Sequence, residues 1–271
     1  MLGIGVVQIN LLVSSWFATH LPAGTVAYLF YADRLVQLPL GIVGVALGTA
    51  LLPALSLAVR EGRLAQGVLN RAVELALLLA LPAAVGLGLL AQPIIRVLFE
   101  RGAFGPEATL ATGQVLAGLA LGLPAYVLTK VLAPGFYAQE DTRTPVRVAA
   151  VALGVNLAAA LLLTGPLGHV GIALALSLSS WANALGLGIL LWRRRLLQPD
   201  AELARRCLGI LAAVAVMAAV LLAGRAGVGG IDAATLGLLI VAGALAFLVA
   251  AWIAGAIDRG QLRRLRRAAR A

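Results

Sequence analysis

The sequence predicts an all-α integral membrane protein with about eight transmembrane helices. Composition is the first reason. Of 271 residues, 62% are hydrophobic and 12% charged, and the mean hydropathy is +1.01. A soluble domain carries about 25% charged residues, so this chain cannot cover a water-facing surface. The second reason is pattern: the apolar residues come in long runs rich in Leu, Ala and Gly, without the alternation of strands. The third is that charge is confined to the connectors. Together these exclude an ordinary soluble enzyme, a disordered chain and a DNA-binding domain.

A spanning helix needs about 20 apolar residues. The runs that meet this are Leu2–Thr19, Leu38–Val59, Val73–Val97, Leu110–Ala133, Val146–Leu163, Val170–Trp192, Cys207–Ala223 and Leu236–Ile257. The first run has no basic flank and is interrupted by Gln8 and Asn10, so it is not a cleavable signal. A first helix without flanking charge predicts that the chain starts inside a longer protein. Arg60, Arg63 and Arg71 follow the second run, Arg143 and Arg147 the fourth, and Arg193 to Arg206 the sixth. The tail after the eighth is basic again. Alternate connectors thus collect 16 basic residues on one side of the membrane and three on the other. The positive-inside rule places the richer side, and the C-terminus, in the cytoplasm. The net charge of +10 is read as loops resting on anionic phospholipids, not as a nucleic-acid surface.

Breakers mark several runs. Pro39, Pro53, Pro82, Pro124 and Pro134 lie inside or at the ends of apolar stretches, and suit helices that bend. Gly44-x-x-x-Gly48 and Gly118-x-x-x-Gly122 are faces that permit close helix packing. The polar connector Leu196–Glu202 suggests a boundary. The expected organisation is a six-helix lobe over 1–195, a linker over 196–206, two further spans over 207–258 and a basic tail over 259–271. Cys207 is the single cysteine, which excludes an internal disulfide and a thiolate cluster.

Ionisable groups at membrane depth read as functional. Arg34 stands between the uncharged loop His20–Gly24 and the second apolar run, with Asp33 adjacent and Tyr28, Tyr31 and Gln37 within the same few turns. On a helix Arg34, Gln37 and Leu38 share a face, while Asp33 points about 100° away. A guanidinium on a wet face can grip a phosphate with two hydrogen bonds. The alternative is an Arg34–Asp33 pair anchored at the interface. Lys130 either adds a second cation to an anion path or snorkels to headgroups. Glu74 opens the third span, where it caps or pairs. Gln8, Asn10, Asn156, Asn183 and Ser177/Ser179/Ser180 are uncharged polar residues within spans, suited to interhelical hydrogen bonds. His20 and His169 fall in loops without a carboxylate cluster. No phosphate-binding loop, nucleophile motif or aspartate-rich motif is found, so neither a cofactor nor covalent chemistry is expected.

Four segments together point to a family. Tyr31-Ala-Asp-Arg-Leu-Val-Gln-Leu-Pro-Leu-Gly-Ile-Val-Gly-Val-Ala-Leu-Gly-Thr-Ala-Leu-Leu-Pro-Ala-Leu-Ser56 resembles the signature stretch of the bacterial lipid II flippases, the MurJ/MviN family. Leu98-Phe-Glu-Arg-Gly-Ala-Phe104, Lys130–Val146 and Gly165–Gly171 are similar to further segments of that family. The family belongs to the multidrug/oligosaccharidyl-lipid/polysaccharide exporter superfamily. The resemblance implies two six-helix lobes around a cationic cavity plus two extra helices, of which this chain would supply the second lobe and the extra pair. It implies that Arg34 helps hold the lipid II pyrophosphate, with Lys130, Asp33, Gln37, Tyr31, Gln8 and Asn10 around the same path. Some members carry a sodium site with a carboxylate in this lobe; the matching helices here offer Asn10 and Asn156 as ion ligands, and no acid. The implied partners are lipid II and cell-wall synthesis proteins. A related exporter of drugs or other lipid-linked glycans, and a non-transporting scaffold of cell-wall assembly, stay open at this point.

Overall fold

The structure, a computed structural model, describes residues 13, 16–22, 24–60, 66–227 and 231–256. For 42–56, 58–60 and 66 it describes the backbone path alone. Gln8 and Asn10 lie outside the described residues, and the Gly44–Gly48 pair falls in the backbone-only stretch.

Helix α1, Thr25–Arg60, is one continuous element of 36 residues. At about 1.5 Å per residue it exceeds the ~30 Å hydrocarbon layer. The apolar run Leu38–Val59 marks only its second part. The first part escapes a hydropathy reading because Asp33, Arg34 and Gln37 interrupt its apolar residues: Ala32, Leu35 and Val36 pack in the core, while Arg34, Gln37 and Leu38 stay outside. A tight turn feeds the helix, and Gly24 sits there at φ +98°, where a Cβ would come within 2.7 Å of the Tyr28 hydroxyl.

Two predicted spans are broken. The third is α2, Gln66–Leu89, followed after Leu90 by the short helix α3, Ala91–Phe99. The fourth is α4, Pro106–Ala120, and α5, Leu123–Tyr137, with Pro106 and Pro124 each in a first turn. A break at membrane depth frees carbonyls that water cannot reach, so side chains must meet them. They do: the Ser177 hydroxyl donates to Gly118 O at 2.7 Å and the Trp181 indole N–H to Leu121 O at 2.9 Å. At the other break the Arg225 guanidinium donates to Leu89 O.

Helix α6, Arg143–Leu167, turns through Gly168 (φ 55°) directly into α7, His169–Arg193. A buried stripe of Ala152, Asn156 and Ala160 runs along α6, and the Ser179 hydroxyl donates to Ala152 O at 2.8 Å. Ser180 bonds within its own helix, to Leu176 O. The extra pair is α8, Ala201–Ala226, and α9, Ala233–Ile253. Asp200 and Asp232 cap them, accepting from Leu203 N at 2.7 Å and Thr235 N at 2.9 Å. Bonds from Thr235 hold the Asp232 carboxyl below its ordinary range. Helix α8 thus starts six residues before the predicted span, inside the predicted linker. Its opening charges are accommodated because Arg206 reaches a carboxylate on α2.

Apolar helices, α2 and α4 through α9, account for six candidate membrane spans among the described residues, with α4 and α5 counted as one. A buried core joins α1–α5 and α7–α9, and a second cluster packs Ala160 of α6 against Ile172 and Ala175 of α7. The helices alternate in direction. Residues 70–74, 139–144 and 194–206 meet at one end; residues 28–31, 89–104, 165–169 and 225 meet at the other.

Candidate functional site

The α1 face is the first candidate. Arg34 lies nine residues from the helix start, about 14 Å along the axis at ~1.5 Å per residue. It is exposed, and its guanidinium carbon stands 4.7 Å from the centroid of the Phe30 ring, one turn back. This cation–π contact orients the group without neutralising it. Asp33 takes a different partner: its carboxylate accepts from the Gln37 side-chain amide one turn on. No ion pair of Arg34 is found among the described residues. Sequence reasoning put Arg34, Gln37 and Leu38 on one face, and that is the geometry seen. It did not foresee Phe30 as the partner, although the i, i+4 spacing of Phe30 and Arg34 was there to read.

The same helix is clamped from its other side by aromatics. Tyr31 packs on Phe99 (4.9 Å between centroids) and edge-on to Phe104 (5.5 Å). Those rings flank Glu100-Arg101-Gly102-Ala103, so the Leu98–Phe104 segment serves to seat α1. One turn earlier, Tyr28 lies edge-on to His169, whose Nε2 is 3.2 Å from Gln114 Oε1. Lys130 is exposed on α5, with no bond to this group among the described residues. Asn156 is fully buried on the α6 stripe, remote in element from the α1 face.

A second feature is a groove of about 420 Å³ between α8 and α9, walled by Ala212, Val216, Ala246, Val249 and Ile253. It offers small and β-branched side chains and no charge.

The third is ionic. Glu74, buried on α2, accepts from Arg71 Nη1 at 2.6 Å and from Arg206 Nη1 of α8 at 2.9 Å; Arg206 also bonds Glu202. Asn70 Nδ2 donates to Gln198 O at 2.8 Å beside it. This seam fastens the extra helix pair to α2. Sequence reading gave Glu74 a capping or pairing role, and it pairs. Among the described residues no group of three or more His, Cys, Asp or Glu is placed to hold a metal.

The sequence profile of the lipid II flippase MurJ family matches residues 1–229. The chain belongs to this family. A probable lipid II flippase MurJ of Rhizobium tropici is 44% identical over 271 residues, covering 96% of this chain and 51% of that protein. That of Rhizobium meliloti is 43% identical, covering 80% of this chain and 41% of the relative. A solved lipid II flippase MurJ in an inward closed conformation superposes with a TM-score of 0.80 at 27% identity, covering 93% of this chain and 51% of that one. An outward-facing multidrug-resistance MATE transporter superposes at a TM-score of 0.52 and 18% identity, which shows a shared fold alone. This MurJ-family chain spans about half the length of the curated relatives it matches. It is an all-helical, multi-pass membrane protein of a flippase family.

Proposed function

We propose that the chain forms the second lobe and extra helix pair of a lipid II flippase. Such a flippase moves the undecaprenyl-pyrophosphate-linked precursor from the cytoplasmic to the periplasmic leaflet of the inner membrane. No covalent bond is made or broken. One observation carries the reading: Arg34 presents an exposed guanidinium on α1, steadied by Phe30, while the neighbouring carboxylate is engaged by Gln37. Its donors are open to an anion, and two of them match a pyrophosphate oxygen pair. The face of α1 that carries Arg34, Gln37 and Leu38 is left uncovered, as a half-transporter's cavity wall would be.

The remaining calls fit this scheme as parts of it. Lys130 extends the cationic path; Tyr31 fixes the height of α1. Asp33 sets the Gln37 amide, Gln8 and Asn10 are assigned as further polar contacts for the substrate, and Asn156, buried on α6 away from this face, as an ion ligand. The prenyl tail lies along the α8–α9 groove in contact with the bilayer. The arginine-rich end faces the cytoplasm and anionic phospholipids, with the C-terminus on that side, and cell-wall synthesis proteins dock on the outer helix faces. The lobe ends near 195, a short connector leads into the helix pair that α8 opens at Ala201, and the basic tail follows 258. Alternating access follows from rocking of this lobe against its counterpart. The test is growth complementation by the full-length flippase. Arg34→Ala abolishes growth, and Arg34→Lys rescues it in part because a point charge replaces a two-pronged donor. Normal growth with Arg34→Ala overturns the assignment.

A further inference from the structure

A larger cavity lies away from α1. It measures about 900 Å³ and is lined from α2 (Leu81, Gly88), α4 (Gln114), the α4–α5 break (Leu121) and α7 (Val170, Trp181), with Ala218 of α8 at one wall. None of its lining residues belongs to α1. It begins at the end of the bundle where α2 stops and α7 starts. From Val170 to Trp181 it extends about 16 Å at roughly 1.5 Å per residue. One leaflet of hydrocarbon is about 15 Å thick. The cleft therefore has the depth of a single leaflet.

Its chemistry restricts the occupant. The lining is apolar apart from Trp181, whose N–H donates to Leu121 O at 2.9 Å, and Gln114, whose Oε1 lies 3.2 Å from His169 Nε2. No charged side chain lines it to recognise a headgroup along its length. The charge sits at the rim. Arg225, at the end of α8, donates to the carbonyl of Leu89, itself a lining residue, and has no carboxylate partner among the described residues. A half-buried cation above a leaflet-deep apolar cleft is complementary to an anionic glycerophospholipid.

We propose that this cleft is a binding site for an anionic phospholipid of the leaflet opposite the arginine-rich end, its acyl chain between α2, α4 and α7 and its phosphate at Arg225. The site filled by a structural lipid would brace the two helix breaks, at Leu90 and at Leu121–Gly122, against the bilayer. The inference stands on groove geometry and Arg225, and is independent of the role given to Arg34.

The test is native mass spectrometry of the 271-residue chain released from mixed micelles of phosphatidylglycerol and phosphatidylcholine. The wild-type chain retains phosphatidylglycerol in preference to phosphatidylcholine. Gly88→Phe projects a ring into the cleft from a position whose Cβ meets only Ala120 Cβ at 3.9 Å. It lowers retained lipid more than about tenfold, because loss of roughly two methylene contacts already corresponds to that factor. Ala218→Phe, from another helix, does the same, so a folding failure in one variant does not decide the matter. Arg225→Gln keeps the lipid and loses the preference. Unchanged retention in both filled variants, an unchanged preference in Arg225→Gln, or a second copy of the chain cross-linked across the cleft would each overturn the proposal.

Discussion

Arg34 and Arg206 are the same side chain in opposite surroundings. Arg206 is held at the α2–α8 seam by Glu74 and Glu202, with 13% of its side chain exposed. Arg34 is exposed on α1, lies over an aromatic ring and leaves its nearest carboxylate to Gln37. A buried pair gives up its donors to the fold; an open guanidinium keeps them for a ligand. Between the two lies Arg194, whose side chain is 37% exposed and meets Asp141 at 2.7 Å across the α5–α6 loop. The carboxylate opposite an arginine, more than its depth in the chain, separates the cations that hold the fold from the one left open here.

The largest expected effect strikes the seam. Glu74→Ala strips the carboxylate from Arg206 and Arg71, and should cost about 3–5 kcal/mol in unfolding measurements in micelles, as removal of one member of a buried pair does. Replacing Glu74 and Arg206 together by Leu should recover most of that loss. Arg34→Ala, on the open face, should change stability by less than about 0.5 kcal/mol. Equal losses at the two sites would erase the contrast.

A seam need not be charged to be tight. At Gly122 a Cβ would stand 2.7 Å from Ser177 Oγ and 2.9 Å from Ser177 Cα. Gly122→Ala should therefore cost about 1–3 kcal/mol by overpacking the α4–α7 contact. Gly154→Ala, where nothing lies within 4 Å, should be neutral within about 0.5 kcal/mol.

The smallest effect belongs to the intermediate pair. Bonds from the Thr144 hydroxyl and N–H, then Arg194, hold the Asp141 carboxyl well below the ordinary carboxylate range. A lowered native pKa means a contribution complete above that range, near 3.8, and lost as pH falls beneath it. Hydrogen exchange of the 139–144 loop should stay slow at neutral pH and quicken only in strong acid. Asp141→Asn should exchange fast at both.

Much of this was legible in the sequence. The run lengths identified most of the helices, and the alternation of arginines agrees with the two sets of ends seen in the bundle. The four family segments identified the family. What escaped had physical causes. The start of α1 was hidden because Asp33, Arg34 and Gln37 interrupt its apolar residues. The breaks at Leu90 and Leu121–Gly122 were hidden because Leu and Gly continue an apolar run without a charge to mark them. The first turns of α8 looked like linker because Glu202, Arg205 and Arg206 suggest water, whereas Arg206 closes on Glu74, 132 residues earlier. The aromatic seat of α1 brings Tyr31 to Phe99 and Phe104, contacts that depend on tertiary folding. The ligand-gripping role proposed for Arg34 rests on family resemblance and on its open geometry together.

The central claim is that Arg34 grips the pyrophosphate of a lipid-linked precursor. It is tested most directly by lipid II binding and translocation in proteoliposomes carrying the full-length flippase, wild type against Arg34→Ala. The account predicts a loss of about tenfold or more in affinity, since hydrogen bonds to a charged group are at stake, with unfolding unchanged. Wild-type binding and translocation by Arg34→Ala would contradict it.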